Sequence, residues 1–276
     1  MTNYTAGDTF KGRGGKKMIK SVQKATKLLS ILSESYENPV TLKELSEKAD
    51  INKSTCSHII STLESEGYVV KISHSKGYIL GPAAYCLSRY GKYNNKLISV
   101  CQPIMQYLYK NLGHTVVLSV IEGDTKYIID CIDDGTIFSK KAGIRTDDIY
   151  RTATGRAILC NMSTDNIYQI YKKYGAPKKE YWDGITNFEQ LLEAAQSMKG
   201  NAYFKTRVLR EKDSTIHIGY AVPIFNNVGC LGAIGVAITL KELEEKEFLE
   251  EEKIIKLLKK GVNQINRNII FGNSVK

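Results

Sequence analysis

The sequence lacks the features that define several large classes of protein. No uncharged apolar run approaches the roughly 18 residues of a membrane-spanning helix, and no apolar stretch follows the N-terminal basic residues as in a secretory signal. The six cysteines form no CxxC pair and have no zinc-ligand spacing. We therefore expect a cytoplasmic protein without membrane contact, metal site or cofactor. Its cysteines should be reduced and mostly buried, with a redox-sensing thiol as the alternative.

Enzyme motifs are also missing from the sequence. It contains no G-x-S-x-G, no H-E-x-x-H and no Walker-type loop. The acidic pair Asp133 and Asp134 is expected to be solvated in a turn, and His114 and His217 to be packed or exposed in or near strands. We therefore predict no catalytic residues. An enzyme that uses a pocket in the second half, and an adaptor that binds only protein, stay open as alternatives.

Composition and charge favour a globular chain with a basic first third. The 276 residues are 42% apolar and 25% charged, which suits one large domain or two ordinary ones. Residues 1–90 hold 13 basic and 8 acidic side chains, and residues 91–240 hold 18 and 14. Per residue, the first third is thus about twice as basic as the middle, a balance compatible with binding to a polyanion.

The first 81 residues show the pattern of a winged helix-turn-helix. Residues 1–17 are rich in Gly, Lys and Arg without a hydrophobic period, which predicts a mobile arm that is either an unstructured tail or a contact to a DNA groove. Three helices follow; Thr41 and Glu44 form a capping box at the second, and the third spans about 53–66. A hairpin with a basic tip completes the pattern over 68–80. The first helix is predicted from apolar residues at spacings of three and four: Ile19, Val22, Ala25, Leu28, Leu29 and Leu32.

The third helix is the candidate DNA-reading element. A helix fits the major groove of B-form DNA, and short polar side chains at its N-terminal end let the two backbones approach. The amides at that end favour a phosphate, side chains one turn later reach base edges, and wing cations meet the flanking backbone. A merely solvated helix or a protein contact is the alternative. The candidate DNA-binding residues are Lys53, Ser54, Thr55, Ser57 and His58 on the helix and Lys71, His74 and Lys76 on the wing.

The remainder of the chain predicts a linker helix and an α+β domain. Gly81-Pro82 interrupts the pattern, and residues 82–95 are predicted as the linker. Residues 96–276 show one hairpin near 116–132, a second over 216–239, helices between them and a long charged helix at the end. One of the helices is predicted over 186–199, opened by a capping box of Thr186 and Glu189.

Several segments, in their order along the chain, resemble the IclR-type transcriptional regulators. In the first half they are Ile19–Ala25, Thr41–Leu45, Lys53–Thr55, Leu63–Tyr68 and Tyr78–Gly81, and in the second half Thr154–Leu159 and Ala221–Phe225. The resemblance implies a C-terminal GAF-like ligand-binding domain, homodimers that often pair into tetramers, and binding to a DNA operator modulated by a small molecule. It implies a sequence-specific regulator, which we expect to be a repressor.

The resemblance also implies where the effector binds. The implied effector-binding positions are Tyr150, Arg151, Ala153, Thr154 and Gly155 in the loop before a helix, and Leu209, Glu211, Gly219, Gly235 and Ala237 on or near two closing strands. Carboxylate-binding members, as we align them, have an acidic residue, a cysteine and two serines where this chain has Leu209, Gly219, Gly235 and Ala237.

Those substitutions lead to a hypothesis about the pocket. We expect it to be wider and more apolar than a site for two- or three-carbon acids, because four polar groups are absent. The effector would be an organic acid or an aromatic or sugar-derived metabolite, held at one anionic or carbonyl group by loop amides and Arg151. Arg151 could instead lie at the surface or pair with Asp147 or Asp148.

Overall fold

The computed structural model describes residues 18–35, 38–73, 77–89, 95–133, 145–146, 149–210, 214–245 and 248–271. The chain divides into two compact units between residues 93 and 94. The predicted arm, two of the wing-tip candidates (His74 and Lys76) and Glu211 lie outside the described residues.

The first unit is a winged helix-turn-helix. Three helices, a two-stranded antiparallel hairpin and a fourth helix follow one another along the chain. Leu28 of the first helix, Leu45 of the second and Cys56 and Ile60 of the third are buried together with Val69 of the hairpin. The elements are α1 Lys20–Glu34, α2 Leu42–Ala49, α3 Lys53–Ser65, β1 Val69–Ser73, β2 Gly77–Leu80 and α4 Pro82–Arg89.

The hairpin is joined to the start of α2 at one point. Val40 forms an isolated bridge to Tyr78, with backbone N–H···O distances of 2.9 and 2.8 Å in the two directions. Gly77 has a φ of +96°, and a Cβ there would overlap the Val40 carbonyl oxygen. Glycine is therefore required where the wing crosses the chain that leads into α2.

Local signals explain this unit, with one correction. The capping box of Thr41 and Glu44 is confirmed, since each residue's side chain accepts a hydrogen bond from the other's backbone N–H. The apolar stripe predicted along α1 is buried only in its second half, at Leu28 and Leu32. Ile19 is 67% and Val22 55% exposed, because none of the described elements covers these two side chains.

The second unit is built on a six-stranded antiparallel sheet. The strands lie in the order β5-β4-β3-β8-β7-β6, so β5 and β6 form its two edges. Its strands are β3 Val116–Glu122, β4 Thr125–Ile132, β5 Arg145–Thr146, β6 Phe204–Arg210, β7 Thr215–Phe225 and β8 Cys230–Thr239. Its helices are α5 Asn95–Leu112, α6 Ala153–Leu159, α7 Thr164–Tyr174, α8 Phe188–Ser197, α9 Leu240–Glu245 and α10 Phe248–Phe271.

Two helical layers cover the sheet. The long helices α5 and α10 pack on one face, against Leu118, Tyr220 and Ile234 among other large side chains. The short helices α6, α7 and α8 form a second core on the other face, where Ala221 and Ala233 are buried. The predicted α+β class is confirmed, and α6 lies directly on the middle strands.

Two details of the second unit differ from the sequence-based expectations. The helix predicted from Thr186 begins at Phe188, because the Asn187 side chain caps it by accepting from the Gln190 N–H at 2.9 Å. The edge strand β6 is not marked by periodicity, since both of its faces carry polar side chains.

Among the described helices, none has the length and apolar content for a bilayer crossing.

Candidate nucleic-acid interface and effector site

The N-terminal end of α3 is exposed and capped. The Asn52 side-chain oxygen accepts from the Thr55 N–H at 2.8 Å, which fixes the start of the helix at Lys53. Cys56 and Ile60 face the core, so the opposite face is free of the unit's interior. Lys53, Ser54, Ser57 and His58 are exposed, and Thr55 is half-buried.

The charge at this end suits a phosphate. The first turn of α3 has no acidic residue, so no negative side chain there opposes the attraction of a phosphate to Lys53 and to the positive end of the helix dipole. The side chains of Ser54 and Ser57 are short, so a ligand can approach the helix backbone closely there. His58 is exposed at the same end of the helix. This surface can approach a polyanionic groove closely, with donors and acceptors available for base edges.

The wing contributes one described candidate. Lys71 lies opposite Tyr78 in the β1–β2 ladder, and its ammonium is 5.7 Å from the centre of the Tyr78 ring. The aromatic contact orients the lysine along the hairpin.

A second candidate site surrounds the start of α6. The Thr152 hydroxyl caps the helix, accepting from the Gly155 N–H at 3.2 Å and from the Lys126 ammonium at 2.7 Å. Lys126 comes from β4 and is only 2% exposed. It was not among the predicted residues, although a lysine at an inward position of a strand is a signal in itself.

The glycines beneath α6 do not leave a cavity. A Cβ on Gly219 would lie 2.9 Å from Thr206 Oγ1 and 3.4 Å from Ala153 Cβ, and one on Gly235 would lie 2.5 Å from Thr154 Cγ2. The hypothesis that these two positions widen the pocket is therefore wrong, because α6 occupies the space. Ala237, which pairs with Gly219 on the neighbouring strand, is exposed and marks where the cover of α6 ends.

Gly155 has a comparable role within the helix. A Cβ at this position would overlap the carbonyl oxygen of Ile149. Ala153, Thr154 and Gly155 are all buried, so these three predicted residues form a tightly packed junction between the loop, α6 and the sheet.

Leu209 takes part through its backbone. Its side chain is 56% exposed, and strand alternation places it on the face opposite Thr206, away from α6. Its carbonyl oxygen accepts from Arg151 Nη2 at 2.9 Å. The Leu209 side chain thus lies outside the packed junction beneath α6, and its assignment to the effector site stays a prediction.

Tyr150 and Arg151 are brought together with the predicted loop but have different surroundings. Tyr150 is buried in the core around α6, and its hydroxyl donates to the Gly175 carbonyl oxygen at 3.1 Å. Burial raises the pKa of Tyr150, so the phenol stays neutral. Arg151 is half-buried, and its guanidinium lies 5.4 Å from the centre of the Tyr181 ring.

Arg156, which is not one of the predicted site residues, is a buried cation in the same region. Its Nε donates to the Tyr150 carbonyl oxygen at 2.7 Å, and its Nη2 donates to the Tyr181 carbonyl oxygen. The guanidinium lies 4.6 Å from the centre of the Trp182 ring. Burial lowers the pKa of Arg156 to about 10, but this value is still well above neutral pH, so the guanidinium stays charged.

The described residues contain no group of acidic, His or Cys side chains that could hold a metal.

Comparison with known families decides the assignment of both units. The family model "Bacterial transcriptional regulator IclR C-terminal" matches residues 93–267, and "IclR helix-turn-helix domain" matches residues 21–73. The chain belongs to the IclR family. It is therefore a DNA-binding transcriptional regulator, and the resemblance inferred from its motifs is confirmed.

Individual members of the IclR family match most of the chain or about half of it. The HTH-type transcriptional regulator KdgR of Escherichia coli is 27% identical over 241 residues, covering 87% of this chain and 89% of that protein. The transcriptional repressor IclR of E. coli is 22% identical over 160 residues, 57% and 58% of the two chains. An IclR homolog complexed with 4-hydroxybenzoate, from Microbacterium hydrocarbonoxydans, shares the fold with a TM-score of 0.68 at 15% identity, over 90% and 98% of the chains.

Proposed function

We propose that this IclR-family regulator reads an operator with α3 and that a small molecule bound beside the start of α6 changes its affinity for DNA. The observation that carries the proposal is the exposed, capped end of α3, which is free of acidic side chains in its first turn. Lys53, Ser54 and Thr55 would contact the backbone there, and Ser57 and His58 would reach base edges. Lys71, His74 and Lys76 of the wing would meet the flanking backbone.

The effector site is proposed at the open end of α6. Arg151 and Lys126 bring two cations to the loop that opens the helix, beside Thr152. Ala237 is exposed where the cover of α6 ends, so a ligand would lie over this small residue and not above Gly219 or Gly235, which α6 covers. The predicted positions Tyr150, Ala153, Thr154, Gly155, Gly235 and Glu211 would shape the site from behind or from the neighbouring loop.

The chemistry of the loop favours an acidic effector. Two cations and the amides of the helix start suit a carboxylate or a polarised carbonyl group. An organic acid with an aromatic or sugar-derived body fits these requirements, and the Microbacterium homolog complexed with 4-hydroxybenzoate supports an aromatic acid as the first candidate. Of the four positions that differ from carboxylate-binding members, Ala237 has an exposed small side chain, which leaves room for an acid larger than the two- and three-carbon ones.

The proposed assembly is symmetric. We propose a homodimer, or a homotetramer made of two such dimers, in the cytoplasm, without enzymatic activity and acting as a repressor, as the name of the E. coli relative IclR supports. A two-fold dimer implies a roughly palindromic operator whose half-sites lie about 34 Å apart or a multiple of that. Coupling between ligand and DNA of about 1–3 kcal/mol is the usual scale for such a switch.

The DNA contacts are tested by selection from a random duplex pool. Operator sequences enriched by the wild type are compared with those enriched by Lys53→Ala, Ser57→Ala and His58→Ala. Lys53→Ala should weaken binding to every sequence, whereas the other two should change the preferred bases. Equal effects of all three on every sequence would contradict the assignment of roles.

The effector site is tested by thermal shift with a panel of small acids, aromatic acids and sugar acids. Aromatic or sugar acids should raise the melting temperature of the second unit, and Arg151→Met should abolish the shift. Stabilisation by two- and three-carbon acids alone would contradict the proposed effector class.

A further inference from the structure

The segment between α7 and α8 is tied to the proposed effector loop. Residues 176–183, which we call the strap, lie between Gly175 and Gly184, whose φ angles are +71° and +78°. A Cβ added to either glycine would have no neighbouring atom within 4 Å. Glycine is therefore favoured at both ends by the positive φ angle and not by crowding. The strap thus leaves and rejoins the helical layer at two left-handed positions.

Two arginines from the effector loop and α6 hold one residue of the strap. Arg156 donates to the carbonyl oxygen of Tyr181, and Arg151 lies over its ring. Arg156 also donates to the carbonyl oxygen of Tyr150, one residue before Arg151. The guanidinium of Arg156 therefore joins the strap, α6 and the loop that carries Arg151.

The surroundings of Arg156 explain why these contacts matter. The residue is 9% exposed, and its partners among the described residues are two carbonyl oxygens and the face of Trp182. A buried guanidinium has a fixed planar array of donors, so both carbonyls are held in one geometry. The position of Arg151 is then fixed as well, because its backbone adjoins the Tyr150 carbonyl group and its side chain lies against the Tyr181 ring.

We infer that Arg156 is a positioning residue for the effector site: its guanidinium fixes the strap to the loop that opens α6 and thereby sets the position of Arg151. This inference rests on the proposed function only in assigning the loop to an effector. Arg156 reaches the loop through the Tyr150 carbonyl oxygen and acts on Arg151 through the loop backbone. The consequence is that loss of Arg156 releases the strap and displaces Arg151 without removing any ligand contact of its own.

The chain carries a reporter for this inference. Trp182 is its one tryptophan and lies on the Arg156 guanidinium, so emission excited where tyrosine does not absorb reads the strap alone. Lys179 in the strap and Lys199 beyond α8 are both exposed, which provides two trypsin sites for comparison. Global destabilisation raises cleavage at both sites, whereas release of the strap raises cleavage at Lys179 and the adjacent Lys178 but not at Lys199.

The experiment compares full-length wild type, Arg156→Met, Arg156→Lys and the control Lys259→Met. Lys259 is a residue of α10, and its ammonium lies 5.6 Å from the centre of the Tyr203 ring. The control therefore also removes a cation from an aromatic face, but outside the strap. Arg156→Met should shift the Trp182 emission to the red and accelerate cleavage at Lys179 about tenfold or more relative to Lys199, since two hydrogen bonds from a charged donor are lost. Lys259→Met should match the wild type in both readouts.

Arg156→Lys keeps the charge and decides the matter if Arg156→Met does not fold. A lysine lacks the planar donor array, so its Trp182 emission should still shift and its cleavage ratio should fall between the other two. Wild-type emission and cleavage in a folded Arg156 variant would overturn the inference. If instead the strap responds as expected but no acid of the panel stabilises the wild type, the positioning role stands and the proposed effector function fails.

Discussion

The two faces of the six-stranded sheet are built from different kinds of residue. The face under α5 and α10 carries large side chains such as Leu118, Tyr220 and Ile234, which fill the space below two long helices. The face under α6 carries Gly219 and Gly235, where the helix itself occupies the space of the missing side chains. Packing on the first face therefore depends on large side chains that fill the space under the helices. Packing on the second face depends on glycines whose missing side chains let α6 approach the sheet.

This difference is our reason for proposing the effector site on the second face. A short helix with a polar start can approach the strands closely only where the sheet offers glycine and alanine. The start of α6 also carries the Thr152 cap, which accepts from Lys126, and is preceded by Arg151, which donates to the Leu209 carbonyl oxygen. On the face with large side chains, α5 and α10 bury Leu118, Tyr220 and Ile234.

Removal of atoms from the α10 face should give the largest effect. Leu258 of α10 is fully buried in that core, and Leu258→Ala should lower the free energy of unfolding of the second unit by about 3–4 kcal/mol through lost contacts and a cavity. Leu209→Ala is the matched control, because Leu209 is 56% exposed on the edge strand, and its effect should stay within about 0.5 kcal/mol. Denaturant unfolding measures both, and equal losses would contradict the contrast.

Addition of atoms to the α6 face should give a smaller effect. A Cβ on Gly235 would lie 2.5 Å from Thr154 Cγ2, so Gly235→Ala should destabilise by about 2 kcal/mol through overpacking. Gly229→Ala is the control, since nothing lies within 4 Å of its built Cβ. Thr154→Ser removes the clashing methyl group, so the double variant should regain part of the loss in the same unfolding assay. A Gly235→Ala variant as stable as the control would show that α6 is not closely packed.

The smallest effect concerns a charge at the large-residue face. Asp130 pairs with Leu118 in the β3–β4 ladder, and its Oδ2 is buried without a hydrogen-bond partner. Burial raises the pKa of Asp130, partly offset by the Cys131 N–H that donates to its other oxygen at 2.9 Å. Asp130→Asn should therefore stabilise the fold by about 1 kcal/mol at neutral pH.

The sign of the pH dependence follows from the raised pKa. The folded state binds this proton more tightly than the unfolded state, so the wild type loses stability as the pH rises through the folded-state pKa and regains it below. The gain of Asp130→Asn over the wild type should thus disappear on acidification. Unfolding curves of both proteins across the acid range give the difference, and a gain that is constant with pH would argue against a buried, unpaired carboxylate.

Sequence patterns were sufficient where the signals are local. The capping box of Thr41 and Glu44 and the inward positions Cys56 and Ile60 gave the helix-turn-helix, because each signal involves residues within one or two turns. Periodicity groups Ile19 with Leu28 but does not reveal where the packed partner ends, and Ile19 is exposed for that reason. At α8, two adjacent polar residues could each cap the helix, and Asn187 does so in place of Thr186.

The candidate effector site could be predicted only in part. The loop residues Arg151 and Thr154 follow from the family motif, but a glycine such as Gly235 can either leave a cavity or admit a helix, and only the fold distinguishes the two. Lys126 and Arg156 have partners that are 26 and 25 residues away along the chain, for example Thr152 and Tyr181. Long-range contacts of this kind leave no spacing in the sequence.

The salt dependence of DNA affinity tests the central claim most directly. Affinity of the full-length protein for a duplex is measured over a series of salt concentrations, with Lys53→Ala beside the wild type. We predict steep weakening with salt for the wild type and a log–log slope smaller by about one for Lys53→Ala, since each lost phosphate contact removes about one released counterion. Wild-type binding that is absent or insensitive to salt, or an unchanged slope in Lys53→Ala, would contradict the placement of α3 against DNA.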